Sequence, residues 1–382
     1  MNESEAMAVL VSAKQLSYGH REAALSRAGC ALALLADAGA YRRELGEEGL
    51  AAVRTALSGA DRLLNKLWMD GVKLLVRGAP GYPERLAHTA KPPHLLFVQG
   101  KADLCDPFPI AVVGTRRADN YGLRHTHALA KVLAEQGMCI VSGLALGVDA
   151  CAHTGALTAN GRTIAVLGSS LDRFYPEANL PLMRQILEGG GSVVSEYPPE
   201  TPPTRYSFLQ RNRIVAGLGL GVLVTQAPEK SGAQSTVRFA LEEGREVFAM
   251  PGDIDRPGSA LPNRLISEGA RPVCCAQDVT RLLVIEPAER GRRASAVPRA
   301  SSTPLSLDTP RASSEQTSAA VPTRTLDARE QAICHLLLMG EQSFDALSEQ
   351  AGIASDELGS LLMMLELDGI VCALPGAMYR LA

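Results

Sequence analysis

The chain has 382 residues, 46% of them hydrophobic and 21% charged, with a formal net charge of −3. Such totals describe an ordinary soluble protein with a sizeable core, long enough for two or three domains; with only 4% aromatics, that core is aliphatic. A mildly acidic total does not exclude nucleic acid, because binding needs a local basic surface rather than a basic sum.

The N-terminal MNESEAMAVLVSAKQLS opens with acidic residues, and Lys14 interrupts its short apolar run, unlike a signal peptide. No apolar run approaches the roughly 20 residues of a membrane span. A cytoplasmic protein without a membrane partner is expected. Eight cysteines include no C-x-x-C pair and no zinc-ligand spacing, which reads as free thiols in a reducing compartment. No metal or cofactor is expected.

Residues 1–75 read as a helical accessory domain of the SAM or helix-hairpin-helix kind. REAALSRAGCALALLADAGA and LAAVRTALSGADRLLNKLWMDG place Leu and Ala at helical spacing between glycines. Residues 76–285 read differently. The apolar runs IAVVG (110–114), MCIVSG (138–143), TIAVLG (163–168), SVVSE (192–196), GVLVTQ (221–226) and EVFAMPG (246–252) predict buried strands separated by helix-length segments. That alternation implies an α/β fold with a parallel sheet covered on both faces, and ligands bind such sheets beyond the carboxyl ends of the strands. Residues 286–323, rich in Ser, Pro, Ala and Thr, read as a disordered linker. Residues 324–382 read as three helices and a hairpin, a winged-helix module, with Asp327 and Glu330 marking a helix start. Its presumed recognition helix carries Asp356, Glu357, Glu366 and Asp368, which favours a protein-contact or structural role over DNA reading.

The strand ends carry the candidate chemistry. After the first parallel strand, Gly114-Thr115-Arg116 offers a turn, a hydroxyl and a guanidinium to an anion, although neither G-x-G-x-x-G nor a Walker loop is present. After the second, Ser142-Gly143 allows close backbone approach. Asp149 and His153, four residues apart on one helix, suggest a metal or acid–base pair; the plainer reading is a hydrogen bond that holds the loops. RYSFLQRNR (205–213) places Arg205, Phe208 and Arg211 roughly on one side of a helix. Cations flanking a ring fit a single-strand reader in which the ring stacks on a base. The alternative is a core Phe208 with arginines paired to Glu196 or Glu200. Lys230-Ser231-Gly232 precedes another helix, a further place for phosphate.

These stretches resemble the DprA/Smf family of DNA-processing proteins. The resemblance is carried by YPERLAHTAKPPHLLFVQG (82–100), IAVVGTRRADNYG, IVSGLALGVDACAHTGAL, SEYP (195–198), FLQRNRIVAGL and GREVFAMPG. It is close over roughly residues 80–275 and looser at the terminal LELDGIVCALPGAMYRL. It implies a Rossmann-like core that binds single-stranded DNA without strong sequence preference. It also implies a homodimer that protects incoming strands in natural transformation and helps load the RecA recombinase. By the same resemblance Arg116 grips phosphate, Arg205 takes the place of a family basic residue, and Phe208 stacks between bases. Asn212 and Arg213 belong to the matching RNR, and Ser142-Gly143 and Ser231-Gly232 line the groove. The sequence departs from the family at SGAQSTV, at Gln226 where Glu is frequent, and at Leu261-Pro262-Asn263 where Gly-x-Asn is frequent.

A second class of function is a nucleotide hydrolase of the phosphoribohydrolase type on the same fold. Those enzymes carry a Pro-Gly-Gly-x-Gly-Thr-x-x-Glu loop, and KSGAQSTVRFALEEG has neither its glycine pattern nor its Glu. No carboxylate cluster suggests a nuclease. The expectation is therefore a binding protein, not an enzyme.

Overall fold

The computed structural model describes residues 1–283, 326–338, 340–368, 370–374 and 377–381. The chain divides into two compact units, 1–283 and 284–382. The expected linker, 286–323, lies outside the described residues.

In the first unit Asn2 opens α1 (Glu3–Val11) through a reciprocal capping box with Glu5. Then come α2 (Tyr18–Ala28), α3 (Ala31–Ala36), α4 (Arg42–Ser58), α5 (Ala60–Met69), β1 (Lys73–Val76), α6 (Glu84–Ala87) and β2 (Leu95–Gly100). The apolar residues of α1–α5 close over Leu95 and Phe97 of β2, with Leu74 and Val76 of β1 packed against the same cluster. The N-terminal helices thus share a core with the edge of the sheet, and the boundary drawn at residue 75 falls inside β1.

The central run is β3 (Pro109–Val113), α7 (Asn120–Glu135), β4 (Cys139–Ser142), α8 (Val148–Thr158), β5 (Thr163–Leu167), α9 (Leu180–Glu188) and β6 (Ser192–Ser195). It continues through α10 (Arg205–Leu218), β7 (Gly221–Val224), α11 (Ala233–Glu242), β8 (Glu246–Ala249), α12 (Ala260–Ser267), β9 (Arg271–Pro272) and α13 (Ala276–Leu283). One nine-stranded sheet has the order β1-β2-β6-β5-β4-β3-β7-β8-β9. The pairs from β6 across to β9 are parallel, and β1 and β2 join antiparallel at one edge.

Alternation along the strands explains the layers. Ala111, Val113, Val141 and Val222 face Ile214, Val215 and Leu218 of α10 and Val237 of α11. Ile110, Val112, Ile140 and Leu223 face Leu133 of α7 and Val148 and Ala152 of α8. Period-two side chains buried on both faces read as continuous apolar runs, and each large side chain so buried contributes about 1.5–3 kcal/mol. The chain winds outward from β3 to β6, then returns to place β7 beside β3. Sheets with such a reversal bind ligands beyond the carboxyl ends of their strands.

Among the described residues the second unit holds three helices, Ala328–Leu338, Phe344–Ala351 and Ser355–Leu367, and a three-stranded sheet of Gln342–Ser343, Met378–Leu381 and Val371–Leu374 in that order. Asp327 accepts from the Arg329 and Glu330 amides, while Glu330 accepts from the Asp327 amide. Ile333, Leu337, Leu347, Leu358, Leu362 and Val371 form the core of this winged helix.

Candidate nucleic-acid interface

Three turns meet at the carboxyl edge because small residues let them. Beyond β3, the Thr115 amide donates to the Gln226 carbonyl at 2.7 Å, and the Thr115 carbonyl accepts from the Val148 amide at 3.1 Å. Gly147, at φ 75°, abuts this turn, and a Cβ there would lie 2.4 Å from the Thr115 carbonyl oxygen. Gly114 is equally confined: its Cβ would lie 2.5 Å from the Gln226 carbonyl oxygen. Beyond β4, the buried Ser142 hydroxyl donates to the Val112 carbonyl at 2.6 Å. The Gly143 amide donates to Asp149 Oδ2 at 3.1 Å.

Thr204 and Ser207 cap α10 reciprocally, with the Ser207 amide donating to Thr204 Oγ1 at 3.0 Å. The Ser207 hydroxyl also donates to the Gly168 carbonyl beyond β5. Phe208 rests directly on Gly168, where a Cβ would lie 2.6 Å from Phe208 Cδ1. The ring is half-buried, and the Arg116 guanidinium lies over it at 5.0 Å. Arg116 itself is exposed, as is Arg205 in the first turn of α10. A cation, a ring and the ends of β3, β4 and β5 therefore meet in one place.

Arg211 and Arg213 do not stand beside them on the outer surface, which corrects the expectation for both. Arg211 is 4% exposed, donates to the Gly143 carbonyl at 2.7 Å and to the Val166 carbonyl, and donates to Asn212 Oδ1 at 3.0 Å. Six residues of helix carry it roughly 120° round the axis from Arg205, which turns it inward. Burial pulls its pKa down to about 10, against the pull of Asp149. Burial likewise raises the Asp149 carboxyl, opposed chiefly by Arg211. Arg213 is paired with Glu196 and donates to the Lys91 carbonyl at 2.7 Å. The paired-arginine alternative thus holds for Arg213.

Asn212 ties α10 to α11, donating to Ser235 Oγ at 2.7 Å and the Gly232 carbonyl at 3.3 Å. Lys230 and Gly232 are exposed, and Ser231 is buried with its hydroxyl accepting from the Ala233 amide at 3.3 Å. Asp149 and His153 serve different partners. Thr163 donates its hydroxyl proton to the Ile140 carbonyl at 2.6 Å, so it accepts from His153 Nδ1 at 2.7 Å. His153 is therefore the neutral Nδ1–H tautomer, and burial with nearby Arg211 pushes its pKa down to about 3. Among the described residues no group of three or more His, Cys, Asp or Glu is placed to hold a metal.

Tyr175, not among the candidate residues, places its ring 5.9 Å from that of Phe208. Its signal was available: an aromatic in the loop after a parallel strand of an aromatic-poor chain.

This is an α/β protein with a Rossmann-like core, a cation-and-ring cluster at the carboxyl ends of its strands, and a winged helix. The chain belongs to the DNA recombination-mediator protein A family, whose model matches residues 73–284, and the winged-helix domain of that family matches residues 317–377. It is 39% identical to protein Smf of Escherichia coli over 78% of this chain and 75% of that protein. It is 38% identical to DNA processing protein DprA of Bacillus subtilis over 57% of this chain and 73% of that one. The solved DprA of Streptococcus pneumoniae is similar with a TM-score of 0.64 at 35% identity, covering 73% of this chain and 97% of that one. DNA processing protein A of Helicobacter pylori, solved for its single-stranded DNA binding mode, is similar with a TM-score of 0.51 at 34% identity, covering 56% and 95%.

Proposed function

We propose that this chain binds single-stranded DNA along the carboxyl edge of its sheet. The observation that carries this is the exposed Arg116 guanidinium set 5.0 Å over the half-buried Phe208 ring. A phosphate draws the guanidinium, and a base takes the face of the ring. Buried Arg211 and half-buried Asn212 act as positioning residues, since they fix the strand-end loops and α11 relative to α10. Gly232 offers exposed backbone to the groove, with Arg205 and Lys230 at its sides, whereas the expectation for Ser142, Gly143 and Ser231 is corrected: they are buried and brace the loops from within. The single-stranded DNA binding mode of the Helicobacter pylori relative supports the reading.

Within that reading the protein is a cytoplasmic mediator rather than an enzyme. A homodimer joins two grooves, protects incoming strands during transformation and passes them to the RecA recombinase. Among the described residues no helix is long and apolar enough to cross a membrane.

Arg116→Ala tests the assignment. Replacing one phosphate contact should weaken single-strand affinity and flatten the slope of log K against log salt by about 0.7. An unchanged slope would remove Arg116 from the interface.

A further inference from the structure

The chain has seven Phe, eight Tyr and one Trp. Thirteen of them are at least half-buried, and the exposed ones are Trp68, Tyr175 and Tyr206; of the three, Tyr175 is the one whose ring pairs with that of Phe208. It is 48% exposed. It follows β5 in the same loop as Gly168, the residue on which Phe208 rests. The two rings are 5.9 Å apart and tilted by 53°. That tilt aims their faces in different directions, so one base cannot serve both. Arg116 lies over the Phe208 ring, which leaves Tyr175 the more open of the two.

We propose that Tyr175 is a second base-stacking platform, so that the groove seats two bases, one on each ring. The inference rests on the single-strand reading of the same site. Its chemistry is the face of a nucleobase, any of the four, since every base offers a π surface. Arg116 lies near the Phe208 platform, placed to meet a phosphate as it leaves the ring. Phe208, half-buried on Gly168, is the fixed platform. Tyr175, on a loop, is the outer one.

The competing role for Tyr175 is an apolar prop for Phe208, and the test separates the two. Short thymidine oligonucleotides carrying one 5-iododeoxyuridine are bound to the full chain, irradiated, and the adducts mapped by mass spectrometry. Affinities are measured in parallel for wild type, Tyr175→Leu and Tyr175→Phe. Leu keeps apolar bulk against Phe208 and removes the ring. The inference expects adducts at both Tyr175 and Phe208. It also expects affinity about fivefold or more weaker for Tyr175→Leu, most of it regained in Tyr175→Phe, with the salt slope unmoved. Adducts at Phe208 alone, with Tyr175→Leu binding as wild type, would overturn the second platform and leave the groove standing. A wild-type chain that bound no single strand would overturn both.

Discussion

A buried guanidinium and an exposed one, both near the same ring, separate stability from binding in this protein. Arg211 holds the Gly143 and Val166 carbonyls and faces Asp149. Arg211→Ala would leave Asp149 buried without its counter-charge, and a loss of about 3–5 kcal/mol is expected, read from the urea midpoint. Arg116 is exposed, and its removal should leave that midpoint nearly unchanged. Equal midpoints for the two variants would contradict this division. Histidines give a second handle. His94, 2% exposed, bonds Glu22 through Nε2 at 2.6 Å, and burial beside Arg21 pushes its pKa down to about 4. His153 lies near 3. Unfolded histidines titrate near 6.5. Below that value the unfolded chain takes up protons that the folded chain refuses. Stability is therefore full above about pH 6.5 and falls as pH drops toward 4, with a limiting slope of about 1.4 kcal/mol per pH unit for each histidine. A urea midpoint that stayed flat from pH 7.5 to 5, or one unaltered in slope by His153→Gln, would contradict this.

At the scale of elements, α10 is the part that sets the groove. Its first turn is fixed by the Thr204–Ser207 box and by the Ser207 bond to Gly168. Thr204→Ala should cost about 1 kcal/mol and weaken single-strand binding by moving Phe208. A variant that lost stability and kept full affinity would show that Phe208 is held by Gly168 alone. Six parallel strands were legible in the sequence because each is a short, mainly apolar run, buried throughout except at Glu246 of β8. β1 and β2 were not, since LLFVQG and KLLV lie among helical and Pro-rich segments and pair antiparallel at the edge. β9 has two residues, Arg271 and Pro272, with no periodicity to read. In the site, Gly114, Gly143 and Phe208 could be placed from strand ends. The inward turn of Arg211 could not, because residue type suggests an exposed cation and only tertiary packing supplies its carbonyl partners.

Over the whole molecule, the proposed strand-binding edge belongs to the first of the two compact units. The winged helix has no Lys or Arg between Gln331 and Tyr379, so it adds little to phosphate binding. A chain ending at residue 283 should keep single-strand affinity within about twofold at moderate salt; a larger loss would assign the module a share of the strand. The acidic total charge is compatible with this account because the cations that matter gather at one edge of one sheet. The central claim is that this edge reads single strands by stacking as well as by charge. Its most direct test is fluorescence anisotropy with a labelled single strand and the matching duplex, across a salt series, for wild type and Phe208→Ala. The account predicts a clear preference for the single strand that Phe208→Ala largely abolishes without altering the salt slope. Equal affinity for the two forms, or a variant indistinguishable from wild type, would contradict it.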